Sequence, residues 1–202
     1  MPRRHSLRRA PLLAALAAAV LAAPLATASS AGAHGYITTP PSRQDLCALR
    51  AVTNCGDIQW EPQSVEGPKG FPASGPADGT ICAGGNDRFS QLDDPRGGNW
   101  PTTALTGGQQ YTFNWHFTAR HATTSFRYFI TKSGWNPNQP LTRNALEATP
   151  FLTVLYHGAQ PAGDISQTAT IPTGRSGHQV ILAVWDIADT GNAFYSCSDV
   201  TL

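Results

Sequence analysis

His34 follows the small-residue run Ala31-Gly32-Ala33, which suits signal peptidase, so cleavage after Ala33 would make it a first residue. A terminal histidine offers two nitrogen donors, its α-amine and its imidazole Nδ1. The amine's pKa, about 7.7–8.0, lets a metal displace its proton at neutral pH. One more imidazole would complete a T-shaped set of three nitrogens. Nitrogen donors in a tetragonal arrangement select Cu(II) over zinc, and the affinity order runs the same way.

Two histidines compete for the third position. Both lie in Tyr111-Thr-Phe-Asn-Trp-His-Phe-Thr-Ala-Arg-His121, which reads as a strand with period two. Tyr111, Phe113, Trp115, Phe117, Ala119 and His121 share one face, and this aromatic row must face the core. His116 has the solvent parity and reads as an ordinary surface histidine. His121 ends the core-facing row where the strand leaves the sheet, with the small Ala119 before it leaving room. Parity therefore selects His121 as the partner of His34.

The elements that position these residues begin after a leader. Arg3, Arg4, Arg8 and Arg9 form a basic head, and the run from Pro11 to Leu25 is almost wholly apolar but too short to span a bilayer. Residues 1–33 are thus expected to be a signal peptide, with His34 to Leu202 a single secreted, extracellular domain and no module appended after it. The paired arginines leave open a twin-arginine export route. Four of the fourteen basic residues leave with the leader, so ten face thirteen acidic ones, a net charge of about −3 with histidine neutral. Such a chain has no basic footprint for nucleic acid and no polybasic patch for a membrane. A weakly charged partner such as a polysaccharide fits better.

Cys47, Cys55, Cys82 and Cys197 form an even set in an exported chain, so two disulfides are expected, with three pairings open. The short local loop favours Cys47–Cys55, and therefore Cys82–Cys197. No C-x-x-C pair supports a thiolate metal site.

A first strand is read over His34 to Thr39. From Ser42 to about Gly108 the pattern is irregular and rich in Gly and Pro, with a helical turn near Ser42 to Leu49; a loop zone of this length is usually functional. Further strands are read at Gln110 to His121, Ser125 to Thr131, Phe151 to Tyr156, Thr168 to Ile171, Val180 to Ile187 and Ala193 to Leu202. Short strands parted by turn signals predict an all-β, antiparallel β-sandwich. Hydrolytic alternatives find little support. Glu61 and Glu66 lie in a Pro-containing loop that fixes no separation, and no G-x-S-x-G, H-E-x-x-H or phosphate-binding loop is present.

Four motifs in order carry a more specific signal: the His-Gly-Tyr start at His34, Glu61-Pro-Gln-Ser-Val-Glu66-Gly-Pro-Lys-Gly-Phe-Pro72, Thr118-Ala-Arg-His121, and Asn192-Ala-Phe-Tyr195. Through them the chain resembles bacterial lytic polysaccharide monooxygenases of the chitin-binding-protein type, over essentially all of His34 to Leu202. The resemblance implies a fibronectin- or immunoglobulin-like sandwich and one copper ion held by His34 and His121, the histidine brace. It assigns Phe194 to an axial side of the metal and Ala119 to shaping solvent access at the other. Glu66 becomes a carboxylate near the metal that orients the oxygen co-substrate, and Trp185 packs close by. Trp60 is expected to stack on the substrate, with Glu61, Asp189 and Asn192 hydrogen-bonding to it. The implied activity is oxidative cleavage of β-1,4 bonds in crystalline chitin at the anomeric carbon by a monomer, with an external electron donor and O2 or H2O2. Cellulose as substrate, and a non-catalytic chitin-binding protein, are the alternatives. A copper carrier would leave Trp60 unexplained and lacks methionine beyond Met1.

Overall fold

A computed structural model describes Met1 and residues 32–202. The chain divides into two units, Met1–Ser30 and Ala31–Leu202, and all the described strands and helices lie in the second. The leader expectation falls almost entirely on residues outside those described. Among the described residues, no helix is long and apolar enough to cross a membrane.

The strands are β1 (His34–Thr39), β2 (Glu66–Pro68), β3 (Thr103–Ala104), β4 (Gln110–Ala119), β5 (Thr123–Ile130), β6 (Leu152–Leu155), β7 (Ile165–Thr170), β8 (His178–Ile187) and β9 (Asn192–Thr201). One helix, α1 (Arg43–Ala48), follows β1, and Ser42 caps it by accepting a hydrogen bond from the Asp45 amide. A three-stranded sheet runs β1-β4-β7, and a larger one runs β2-β9-β8-β5-β6 with β3 beside β9. All pairings are antiparallel except that of β3 with β9. The predicted sandwich is the observed fold.

Strand parity explains the core between the sheets. Phe113, Trp115 and Phe117 of β4 are buried against Phe126 and Tyr128 of β5 and Trp185 of β8. The polar ends of these aromatics are satisfied inside the core: Trp115 Nε1 donates to Tyr128 Oη at 3.0 Å, and Tyr128 in turn donates to Gln167. Gln167 belongs to β7, which starts at Ile165, three residues earlier than the apolar pattern suggests. The polar stretch Ser166-Gln167 conceals the start of a strand whose first buried member, Gln167, is an amide rather than an apolar residue.

The irregular zone after α1 proves to be a packed layer. Leu46, Ile58, Val65, Phe71, Ile81, Phe89 and Leu92 form a second core against Phe129, Leu182, Val184 and Tyr195, on the other face of the larger sheet. This is why β8 is apolar from Val180 to Trp185: both of its faces are covered. Two disulfides, Cys47–Cys55 and Cys82–Cys197, fasten the layer as the spacing suggested. The second joins residues 115 apart in sequence. In a chain-entropy view, closing a loop of that size stabilises the fold by about 4–5 kcal/mol.

Buried carboxylates give this layer a pH dependence. Burial pushes Asp93 up to about 6, opposed by the Ala83 and Cys82 amides and by Arg43. Burial likewise pushes Asp45 up to about 6, opposed by His116. Burial would also raise Asp199, but the Arg43 guanidinium, 2.7 Å away, and His178 hold it below the usual carboxylate range. A carboxyl whose folded pKa is raised binds its proton more readily when folded. Asp45 and Asp93 therefore add stability below about pH 4, and that stability is lost as pH rises through about 6. Asp199 has the opposite sign, and its contribution is lost only as pH falls through its depressed folded pKa. The melting temperature is expected to be higher at about pH 5 than at about pH 7. Asp93→Asn, which keeps an oxygen for the Cys82 and Ala83 amides, should flatten that slope; calorimetry across this range checks it.

Candidate metal centre

The register of β1 against β4 brings the two histidines to one corner. His34 lies opposite Ala119, two residues before His121 in the turn that leads into β5. Gly35 makes this approach possible. A Cβ there would sit 2.6 Å from the Phe117 ring and 3.0 Å from the His116 carbonyl, so any larger residue would push β1 away. The β4–β5 turn is fixed in turn from the larger sheet. Thr123 Oγ1 donates to the His121 carbonyl at 2.9 Å and accepts from Trp185 Nε1 at 2.8 Å. The Ala188 amide, in the β8–β9 hairpin, donates to the Ala122 carbonyl at 2.8 Å.

That hairpin carries Asp189, whose Oδ1 lies 3.0 Å from His121 Nδ1. The pair is close but poorly aligned, so Nδ1 is buried with no true hydrogen bond. The proximity makes an electrostatic contact, and the misalignment leaves a nitrogen whose hydrogen-bonding capacity is unspent. The His121 side chain is 12% exposed and Asp189 59% exposed, so the carboxylate reaches the imidazole from the solvent side.

From below, Phe194 closes the corner. Its ring is fully buried, tilted 59° to that of His34 with centroids 6.3 Å apart, and it rests on Trp185 at 5.1 Å. Opposite Phe194 in the β2–β9 pairing stands Glu66. Gly67 lets the Gly84 turn pack against β2, since a Cβ there would lie 2.0 Å from the Gly84 carbonyl oxygen. Asn192 Nδ2 donates to Glu66 Oε1 at 2.7 Å and leaves Oε2 unoccupied by that contact.

His34, Ala119, His121, Phe194, Glu66, Asp189 and Asn192 thus belong to one connected set of contacts and strand pairings. His116 does not. It pairs with Asp164 at 2.9 Å on the outer face of the small sheet and meets Tyr36 edge-on. Trp60 stands at the end of a short 3-10 turn, Gly56–Gln59, and is 73% exposed. One of its faces is covered, because the Arg50 guanidinium lies 4.0 Å above the ring. Glu61 pairs with Arg88, which also holds Asp57 at 2.9 Å. Sequence reasoning takes Glu61 and Asp189 as free polar contacts, yet each has a partner within the protein, Arg88 and His121. It misses Arg50, Arg88 and Thr123. No local pattern marks them, since each acts through a contact distant in sequence or through a backbone atom.

The donor chemistry fits copper: the His34 imidazole stands beside Phe194, and His121, two residues past the strand partner of His34, adds an imidazole with a buried nitrogen that has no hydrogen bond. Among the described residues, no group of three or more His, Cys, Asp or Glu side chains is arranged to hold a metal. A third nitrogen would be the main-chain nitrogen of His34. In the full-length chain this is an amide: Ala33 is buried, and Gly32 lies against the His34 imidazole.

A family profile described as "lytic polysaccharide mono-oxygenase, cellulose-degrading" matches residues 34–200. An AA10 lytic polysaccharide monooxygenase from Streptomyces lividans is 62% identical, with a TM-score of 0.82, covering 84% of this chain and all of that one. A Bacillus amyloliquefaciens CBM33 protein, solved in complex with Cu(I), is 43% identical with a TM-score of 0.77, covering 84% of this chain and 99% of that one. GlcNAc-binding protein A of Shewanella oneidensis is 45% identical over 85% of this chain and 36% of its own length. The AA10 lytic polysaccharide monooxygenase C of Mycosarcoma maydis is 46% identical over 83% of this chain and 52% of its own. The chain thus spans between about a third and a half of the curated relatives it matches. It belongs to the lytic polysaccharide monooxygenase family AA10.

Proposed function

We propose that cleavage after Ala33 releases a secreted domain, His34 to Leu202, that binds one copper ion and oxidatively cleaves crystalline chitin at the anomeric carbon. The observation that supports this reading is the β1–β4 register, which sets His34 opposite Ala119, two residues before His121. The His34 amine and imidazole and the His121 imidazole would hold the ion. When bound, copper supplies the one-electron and oxygen chemistry, with an external donor and O2 or H2O2, that hydroxylates a glycosidic carbon and breaks the β-1,4 bond.

The remaining roles belong to the chain. Phe194 keeps water and competing ligands from the buried side, and Ala119 keeps that part of the corner small. Glu66, oriented by Asn192, offers Oε2 to hold or release a proton beside the oxygen co-substrate. Asp189 steadies the His121 imidazole. Trp60 presents its uncovered face to a sugar ring, while Arg50 holds the indole from the other side. A protruding aromatic suits a crystalline substrate, whose surface chains offer flat ring faces to stack on.

Chitin is favoured because the Trp60-to-Glu66 motif resembles chitin-active members and because relatives carry the name GlcNAc-binding protein A. The family description "cellulose-degrading" supports cellulose as a second reading. A purely adhesive role is a third, favoured by the description of a Burkholderia pseudomallei neighbour, 30% identical, as a chitin binding domain. One experiment separates them. Copper-loaded secreted protein is incubated with ascorbate and either β-chitin or cellulose, and soluble products are analysed by mass spectrometry. Aldonic-acid chitooligosaccharides are expected. Oxidised cello-oligosaccharides alone would move the substrate to cellulose. No oxidised product, with copper verified and chitin pull-down intact, would leave only adhesion.

A further inference from the structure

A cavity of about 460 Å³ is lined by Asp78, Trp135, Asn136, Gln139, Pro140 and Thr142, among others. This volume lies in the range of about 300–1,000 Å³ found for small-molecule sites. Topology places it far from the histidines. Trp135 packs edge-on against His178, the first residue of β8, with centroids 5.7 Å apart. The other end of β8, ten residues long, feeds the hairpin that touches His121. At about 3.3 Å per residue, the cavity and the metal corner are about 30 Å apart, at opposite ends of the larger sheet.

Its lining has the chemistry of a neutral, hydroxyl-rich ligand. Trp135 and Pro140 supply apolar surface on which a pyranose face can rest. Asn136 Oδ1 already accepts from the Asn138 amide, which fixes the side chain and leaves its NH2 group to donate. Among the described residues, the Gln139 amide and the Thr142 hydroxyl make no side-chain hydrogen bond. Asp78 is the one charged lining residue. Its Oδ1 is engaged by the Arg143 amide at 2.8 Å and guanidinium at 3.1 Å, which neutralises it and leaves Oδ2 outside those contacts. A balanced charge disfavours phosphates and cations, while planar amides and a carboxylate oxygen match vicinal hydroxyl groups.

We propose that this cavity is a second saccharide site, able to hold a short stretch of a single glycan chain while the metal corner engages another region. The polysaccharide reading enters only in the choice of probe. The test is titration of metal-free, 15N-labelled secreted protein with N,N′,N″-triacetylchitotriose, followed by NMR. Shifts are expected at the Trp135 indole NH and the Asn136 and Gln139 side-chain amides, saturating in the millimolar range. Trp135→Ala should abolish them. Because Trp135 also packs on the second core, Gln139→Ala serves as the gentler variant and should weaken binding at least threefold while leaving the melting temperature unchanged. Shifts confined to the Trp60 face, or none at saturating probe, would overturn the proposal. So would preferential binding of a simple catechol at Trp135, which would make the cavity a phenol site. Each of these outcomes is independent of whether oxidised products form at the copper corner.

Discussion

A protein that retains even Ala33 ahead of His34 is expected to lose tight copper binding. Extension converts the His34 amine into an amide, whose nitrogen has no lone pair to give at neutral pH, and one of three donors disappears. In the full-length chain Gly32 lies against the His34 imidazole and Ala33 is buried, so the extension also crowds the donor that remains. Removing an outer-shell partner of a metal typically costs about 10–100-fold in affinity, so loss of a direct donor should exceed about 100-fold. Isothermal titration with Cu(II) checks this, comparing protein that begins at His34 with protein that begins at Ala33. Folding should be little affected, because Ala33 adds only one small side chain to the core between the sheets and both disulfides lie elsewhere. Equal affinities would mean that the copper ligands do not include the terminal amine. Export processing, in this account, creates a ligand as well as releasing the protein.

His121→Ala should be as severe, and His116→Ala nearly silent. The two residues lie five apart in sequence, His116 within β4 and His121 in the turn just past its end, yet only His121 reaches the corner with Asp189 and the Thr123-held turn. His121→Ala is expected to abolish oxidised products and lower copper affinity by more than about 100-fold. His116 is bound to Asp164 in an exposed pair, and such pairs are worth about 0–1 kcal/mol. Its removal should leave product yield within about twofold and shift the melting temperature little. Comparable activity losses in both variants would show that side-chain parity along β4 was the wrong criterion.

That criterion shows what the sequence makes legible. Alternation in Tyr111 to His121 is a short-range property, and Phe113, Trp115 and Phe117 are buried as their parity requires. The same pattern put His116 outside and His121 at the corner. Cysteine spacing was also informative, since Cys47 and Cys55 can close only a small loop. The layer made by residues after α1 was hidden, because its core residues follow no period and pack against a sheet face built from Phe129, Leu182, Val184 and Tyr195, far along the chain. The contacts that tune the site were hidden for the same reason. Arg50 over Trp60, Arg88 with Glu61 and Asp189 with His121 depend on how loops meet. Gly35 was visible only as a glycine; its meaning, a backbone pressed on Phe117, needs the neighbouring strand.

The central claim is that three nitrogens, two of them from His34, hold the copper. The most direct measurement is electron paramagnetic resonance of Cu(II)-loaded protein beginning at His34, prepared with natural-abundance nitrogen and with 15N. The account predicts superhyperfine coupling to three nitrogens that changes on isotopic substitution, and the loss of one coupling when Ala33 is retained. Three-nitrogen coupling that survives the retained Ala33, or an unaltered spectrum in His121→Ala, would contradict it.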